Sequence, residues 1–129
     1  MKTISLLILF GLQSFALFAQ EDPSQKLVKW IKAADSKGIS DFLQATVDVS
    51  IENNNELCAK HKAADLLQQF FQRNPVTEVS INHRSIRQGA RSFVILTYKC
   101  KNGTSYRINF SGKESGGNLI IENIKIDKI

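Results

Sequence analysis

Histidines, clustered arginines and two cysteines are the residues of this chain with the most chemical potential. His83 stands in the alternating run Thr77-Glu78-Val79-Ser80-Ile81-Asn82-His83-Arg84. Parity puts it on the face of Val79 and Ile81, where an imidazole can serve as a general base near neutral pH. His61 and Asp65 are one helical turn apart, a spacing that suits a surface pair or two ligands of a metal. No third ligand accompanies them, so no metal site is expected. Arg84, Arg87 and Arg91 flank one turn, and three guanidiniums there are candidates for gripping a carboxylate, sulfate or phosphate. No GxSxG, HExxH or glycine-rich phosphate loop occurs. The carboxylates alternate with apolar residues, as Asp48 and Glu78 do, or lie on helix flanks, so they point away from a core. No catalytic set is therefore assigned and no cofactor is expected.

Cys58 and Cys100 are the only cysteines. A bridge between them would close a loop of about 40 residues and contribute on the order of 4 kcal/mol. The alternative is two separately buried small hydrophobes. Their separation fits neither a redox CxxC nor a zinc knuckle.

The chain has 129 residues, enough for one domain. Residues 1–20 carry Lys2, an apolar run from Ile4 to Leu12, and Phe15-Ala16-Leu17-Phe18-Ala19-Gln20 before Glu21-Asp22. This is the pattern of a cleaved signal peptide. The run is too short to span about 30 Å of hydrocarbon. Export to the periplasm or exterior is thus expected, with residues 21–129 as one domain and no transmembrane segment after cleavage. Loss of Lys2 takes the formal charge from +5 to +4. That favours anionic partners weakly, while nucleic acid is not expected of an exported chain without a basic–aromatic recognition motif.

The elements that must position these residues follow from periodicity. Asn55 to Pro75 reads as one amphipathic helix capped by Asn55, with Ala59, Ala63, Leu66, Leu67 and Phe70 on one face. Asn74-Pro75 ends it. Cys58 then falls early in that helix. Upstream, Asp22-Pro23 caps a helix carrying Leu27, Trp30, Ile31 and Ala34. Gly38 stops it, and Ser40 caps a short second helix with Phe42 and Leu43. Val47, Val49 and Ile51 alternate as a strand. Phe93–Lys101 and Thr104–Gly112 form a hairpin over a two-residue Asn102-Gly103 turn. That turn sets Lys99 opposite Tyr106, Thr97 opposite Ile108 and Ile95 opposite Phe110. Leu119–Ile129 is the last strand, with a bulge near Glu122-Asn123 to repair its slipped apolar parity. The fold class is α+β: a curved antiparallel sheet packed around a long helix plus two N-terminal helices.

Several stretches carry a resemblance. They are Gly38…Phe42-Leu43…Val47-Asp48-Val49-Ser50-Ile51, Lys62–Phe71 closing on Asn74-Pro75, Val79–His83, and Asn102-Gly103-Thr104-Ser105-Tyr106-Arg107-Ile108. Through them the chain resembles a family of small exported Bacteroidota proteins, domain of unknown function 4783. That family is placed within the nuclear transport factor two-like superfamily of cystatin-like cones. The resemblance covers nearly all of residues 21–129. It implies a conical cavity between helices and sheet, with Trp30, His83 and Tyr106 as pocket candidates. The more polar sheet face, with Tyr98, Arg107 and Asn109, is the candidate partner surface, for an envelope protein or a second copy in a homodimer. The expected function is a non-catalytic module binding a small ligand or a protein. The alternative is an isomerase- or hydrolase-like enzyme with His83 as base.

Overall fold

Asp22 opens helix α1 (Pro23–Lys32) by accepting from the Ser24 amide at 2.9 Å, with proline at the first helical turn. A computed structural model describes residues 22–129; the expected leader, Met1–Gln20, lies outside the described residues. Leu27 and Ile31 of α1 are wholly buried. The chain then turns at Ala34, whose φ is 52°. Gly38 does not stop α1 but lies inside α2 (Ser36–Ser40), beneath the Trp30 ring, where a Cβ would sit 2.6 Å from indole atoms. Asp35 rather than Ser40 caps α2, through the Gly38 amide. Phe42 and Leu43 accordingly lie beyond that helix.

Strand β1 (Leu43–Ile51) buries Val47, Val49 and Ile51, as its alternation predicts. The next six residues depart from expectation. Asn54–Ala59 is not the start of the long helix but an edge strand, β2, paired antiparallel with β1. Glu52 and Asn53 join the two with positive φ at both positions, the signature of a tight two-residue hairpin. Asn55 is therefore no cap: its side chain donates to Asp48 at 2.9 Å across the hairpin. The long helix, α3 (Lys60–Arg73), starts after Ala59 without a side-chain cap. It buries Ala63, Ala64, Leu67, Phe70 and Phe71 and ends at Asn74.

Strands β3 (Val76–Ser85), β4 (Arg91–Cys100), β5 (Ser105–Ser115) and β6 (Asn118–Lys128) follow. The six-stranded sheet has the order β2-β1-β6-β5-β4-β3. All pairs are antiparallel except β1 with β6. The α3 helix packs into its concave face, and the shared core runs from Leu27 and Ile39 to Tyr98, Phe110 and Ile126.

Three local features decide which side chains face that core. At the β4–β5 turn the loop has three residues, not two: Cys100 pairs with Thr104 and Gly103, at φ 89°, donates back to Cys100. The register moves by one, so Tyr98 pairs with Tyr106, Leu96 with Ile108 and Val94 with Phe110. These residues, not Ile95, Thr97 and Lys99, make the inner face. In β3, an irregularity between Ile81 and His83 leaves Asn82 unpaired in the ladder. Its amide side chain instead bonds Thr97 Oγ1 at 2.7 Å. Parity flips there, sending His83 outward and Arg84 inward. In β6, Ser111 pairs with Asn123 but Gly112 with Ile121, so Glu122 is the extra residue of a bulge, where the slipped parity puts it.

Two predictions follow from this geometry. A Cβ at Gly112 would lie 1.8 Å from the Ile120 carbonyl oxygen, a backbone atom that the bulge holds in place. Gly112→Ala is expected to destabilise the fold by about 3 kcal/mol, read as a Tm loss above about 10 °C. Near-wild-type stability would show that the bulge yields. The second concerns Asp22, which bonds Ser24 and also pairs with Arg84 at 2.5 Å. Burial opposes its charge, but the Ser24 bonds and the Arg84 guanidinium outweigh it and hold the carboxyl below its usual range. A depressed folded pKa gives stability that is present above the unfolded value and lost as pH falls through the folded one. Asp22→Asn keeps a capping oxygen and loses the charge, so it should cost only about 0.5 kcal/mol at pH 7, the scale of a solvent-screened ion pair. The gap should close in acid titrations below the ordinary aspartate pKa; a gap unchanged by acid would refute the assignment.

Candidate functional site

Helix α3 lays Phe70 against two tyrosines of the sheet: its ring centroid is 5.4 Å from Tyr98 and 4.9 Å from Tyr106. Both hydroxyls end on Asn74, Tyr98 donating to its carbonyl and Tyr106 to Oδ1 at 3.3 Å. Asn74 also donates from its side chain to the Phe70 carbonyl at 3.1 Å. The helix end and the sheet interior are thus tied by one residue. Burial raises the pKa of Tyr98 well above that of free tyrosine, and that of Tyr106 in the same direction, with Glu52 adding to the second. Both therefore stay neutral hydrogen-bond donors at physiological pH.

This aromatic packing occupies the heart of the cone, and open space is found at its rim instead. A cleft of about 200 Å³ lies between α3 and the β1–β2 hairpin. Val49, Ile51 and Leu66 form its apolar floor, and Glu52, Gln69 and Arg73 stand on its polar rim. Leu66, Gln69 and Arg73 share one face of α3 by their three- and four-residue spacing. Glu56 also reaches the cleft, but its carboxylate is held by Lys62 at 3.0 Å.

The residues singled out from sequence are distributed differently from expectation. Trp30 packs edge-on against Phe42 at 4.9 Å, and Tyr106 is buried against Phe70. His83 is exposed on the outer sheet face, its ring stacked on Phe93 at 5.5 Å. None of the three lines the cleft. Tyr98 is fully buried rather than part of a partner surface, because of the one-residue register change, while Arg107 and Asn109 do face outward. Arg84 is engaged by Asp22 and Ser24, and Arg91 by Glu122 at 2.5 Å. The Arg87 backbone amide bonds Ser92. Two of the three guanidiniums are thus committed to different carboxylates rather than converging on one anion. Cys58 on β2 and Cys100 on β4 are free buried thiols, separated in the sheet by β1, β6 and β5. Burial raises both pKa values, so neither is a ready thiolate. His61 and Asp65 are exposed on α3. Among the described residues no group of three or more His, Cys, Asp or Glu could hold a metal, and no helix is long and apolar enough to cross a membrane.

Sequence reasoning missed the cleft because β2 was absorbed into the helix. The only signal for it was the run of asparagines after Glu52, residues that tolerate left-handed backbone.

Comparison with known proteins agrees with this architecture. Three-dimensional likeness extends to a protein of unknown function from Shewanella baltica described as NTF2-like, at 14% identity and TM-score 0.61, over 81% of this chain and 86% of that one. A DUF4783 family protein from Bacteroides uniformis matches with TM-score 0.74 at 24% identity, over 81% and 95%. One from Bacteroides ovatus matches with TM-score 0.72 at 30% identity, over 81% and 93%. No curated protein matches the sequence. The family model described as "Domain of unknown function (DUF4783)" matches residues 24–127, and on that extent of agreement the chain belongs to the DUF4783 family, with an NTF2-like α+β fold.

Proposed function

We propose that this protein is an exported, non-catalytic binding module that holds a small ligand in the cleft between α3 and the β1–β2 hairpin. The observation that carries the reading is the cleft itself: an apolar floor of Val49, Ile51 and Leu66 under a rim of Glu52, Gln69 and Arg73. Apolar floors with a few convergent polar groups are the usual form of small-molecule sites. Its volume of about 200 Å³ suits a metabolite-sized molecule or one side chain of an envelope protein. Export rests on the leader pattern of residues 1–20. The enzyme alternative required His83 inside the cone, and His83 lies on the opposite face of the sheet.

A fragment screen followed by amide-shift mapping tests the cleft. Ligands should move residues 49–56 and 66–73, and Leu66→Trp, which fills the floor, should abolish those shifts at little cost in Tm. His83→Ala should leave both unchanged. Hits confined to the surface around His83, or indifferent to Leu66→Trp, would overturn the reading.

A second reading, homodimerisation through the outer sheet face, is favoured by one observation. Asn109 Oδ1 is buried there without a donor among the described residues, and Asn109 pairs across the ladder with half-buried Ile95. A second copy would cover half-buried Ile95 and Phe93 and, with a turn of the Asn109 side-chain amide toward it, supply the missing donor. Light scattering should then give twice the monomer mass, reduced to monomer by Ile95→Glu; a monomer at all concentrations would exclude it.

A further inference from the structure

Glu52 and Arg73 stand on the rim of the same cleft with opposite charges, yet neither forms an ion pair among the described residues. The remaining rim carboxylate, Glu56, is already neutralised by Lys62. Both free charges lie close enough to Tyr106 to act on its hydroxyl in opposite senses, Glu52 favouring the neutral phenol and Arg73 the phenolate. One anion and one cation, paired neither with each other nor with another charge among the described residues, thus line the same cleft as Val49, Ile51 and Leu66.

From this juxtaposition we propose that the cleft binds a small zwitterion with an aliphatic tail, of the class of free aliphatic α-amino acids. The inference rests on the cleft being the binding site. The ligand carboxylate meets the Arg73 guanidinium, whose planar fork suits a carboxylate. The ligand ammonium meets the Glu52 carboxylate, with the Gln69 amide as a further polar group on the rim. The branched tail covers the apolar floor, and a cleft of about 200 Å³ leaves little room for a longer chain. A ligand bearing one charge leaves the other rim group without a partner, and that difference is the source of selectivity.

The test is an amide-shift titration of the folded protein with leucine, leucinamide and 4-methylpentanoate, which share a tail and differ in charge. Leucine should move the amides of residues 49–56 and 66–73. Leucinamide, lacking the carboxylate, and 4-methylpentanoate, lacking the ammonium, should each bind at least about tenfold more weakly, the scale of one lost charge-assisted contact. Arg73→Gln and Glu52→Gln should each weaken leucine by a similar factor, and Arg73→Lys should recover part of the loss. Both residues are exposed, and a dispersed amide spectrum certifies the fold of each variant. Equal binding of all three compounds at the cleft would overturn the zwitterion assignment while leaving the cleft as a binding site. No shift at the cleft with any of them would overturn the assignment as well, and fragments binding there would then keep the broader reading alive. Failure of both screens would end both.

Discussion

The contact on which the structure depends is that of Phe70 with Tyr98 and Tyr106, closed off by Asn74. A long helix can be buried in a sheet only if the sheet bends around it and the helix end is satisfied where it enters. Asn74 meets the second requirement. Its backbone carbonyl and side chain take the two tyrosine hydroxyls, while its amide and side chain bond back to the last turn. Pro75 then releases the chain into β3, and the Lys101 amide bonds the Pro75 carbonyl at 3.0 Å. Two polar groups that would otherwise be costly in an apolar interior are thereby paired.

The bend itself comes from places where the ladder carries one residue too many. Glu122 in β6 is one, and Gly112 opposite lets the backbones approach. Its carboxylate is not idle: Lys113 reaches it from the adjacent β5 and Arg91 from β4 beyond. Asn82 in β3 is another, stabilised by its pair with Thr97. These irregularities also assign function by assigning direction. Asn82 turns His83 out to Phe93 and brings Arg84 round to Asp22, so one unpaired residue removes the imidazole from the cone and ties the start of α1 to β3.

What could be read from sequence was whatever local chemistry determines alone. Asp22-Pro23, the Val47–Ile51 alternation, the Asn74-Pro75 stop and the Glu122 bulge are of this kind. Each is a propensity or parity signal that tertiary packing reinforces. What could not be read was settled by non-local pairing. Strand β2 buries only Cys58, and Leu57 is 70% exposed, so apart from its opening asparagines nothing in its own residues distinguishes it from a helix start. The Asn102-Gly103 pair is equally at home in a two- or three-residue loop, and the choice inverts every side chain on two strands. Both misreadings bear on the site: the first hid the cleft wall, and the second placed Tyr98 on the wrong face.

Aromatic packing fills the space between α3 and the tyrosines of the sheet, and the apolar-floored cleft lies at the rim of the cone beside β2. Crystals pressurised with xenon test this most directly, because the gas enters unoccupied apolar space irrespective of chemistry. Xenon is expected over Val49, Ile51 and Leu66, and none between α3 and the paired Tyr98 and Tyr106. A xenon atom lodged beside Phe70, against those tyrosines, would contradict it.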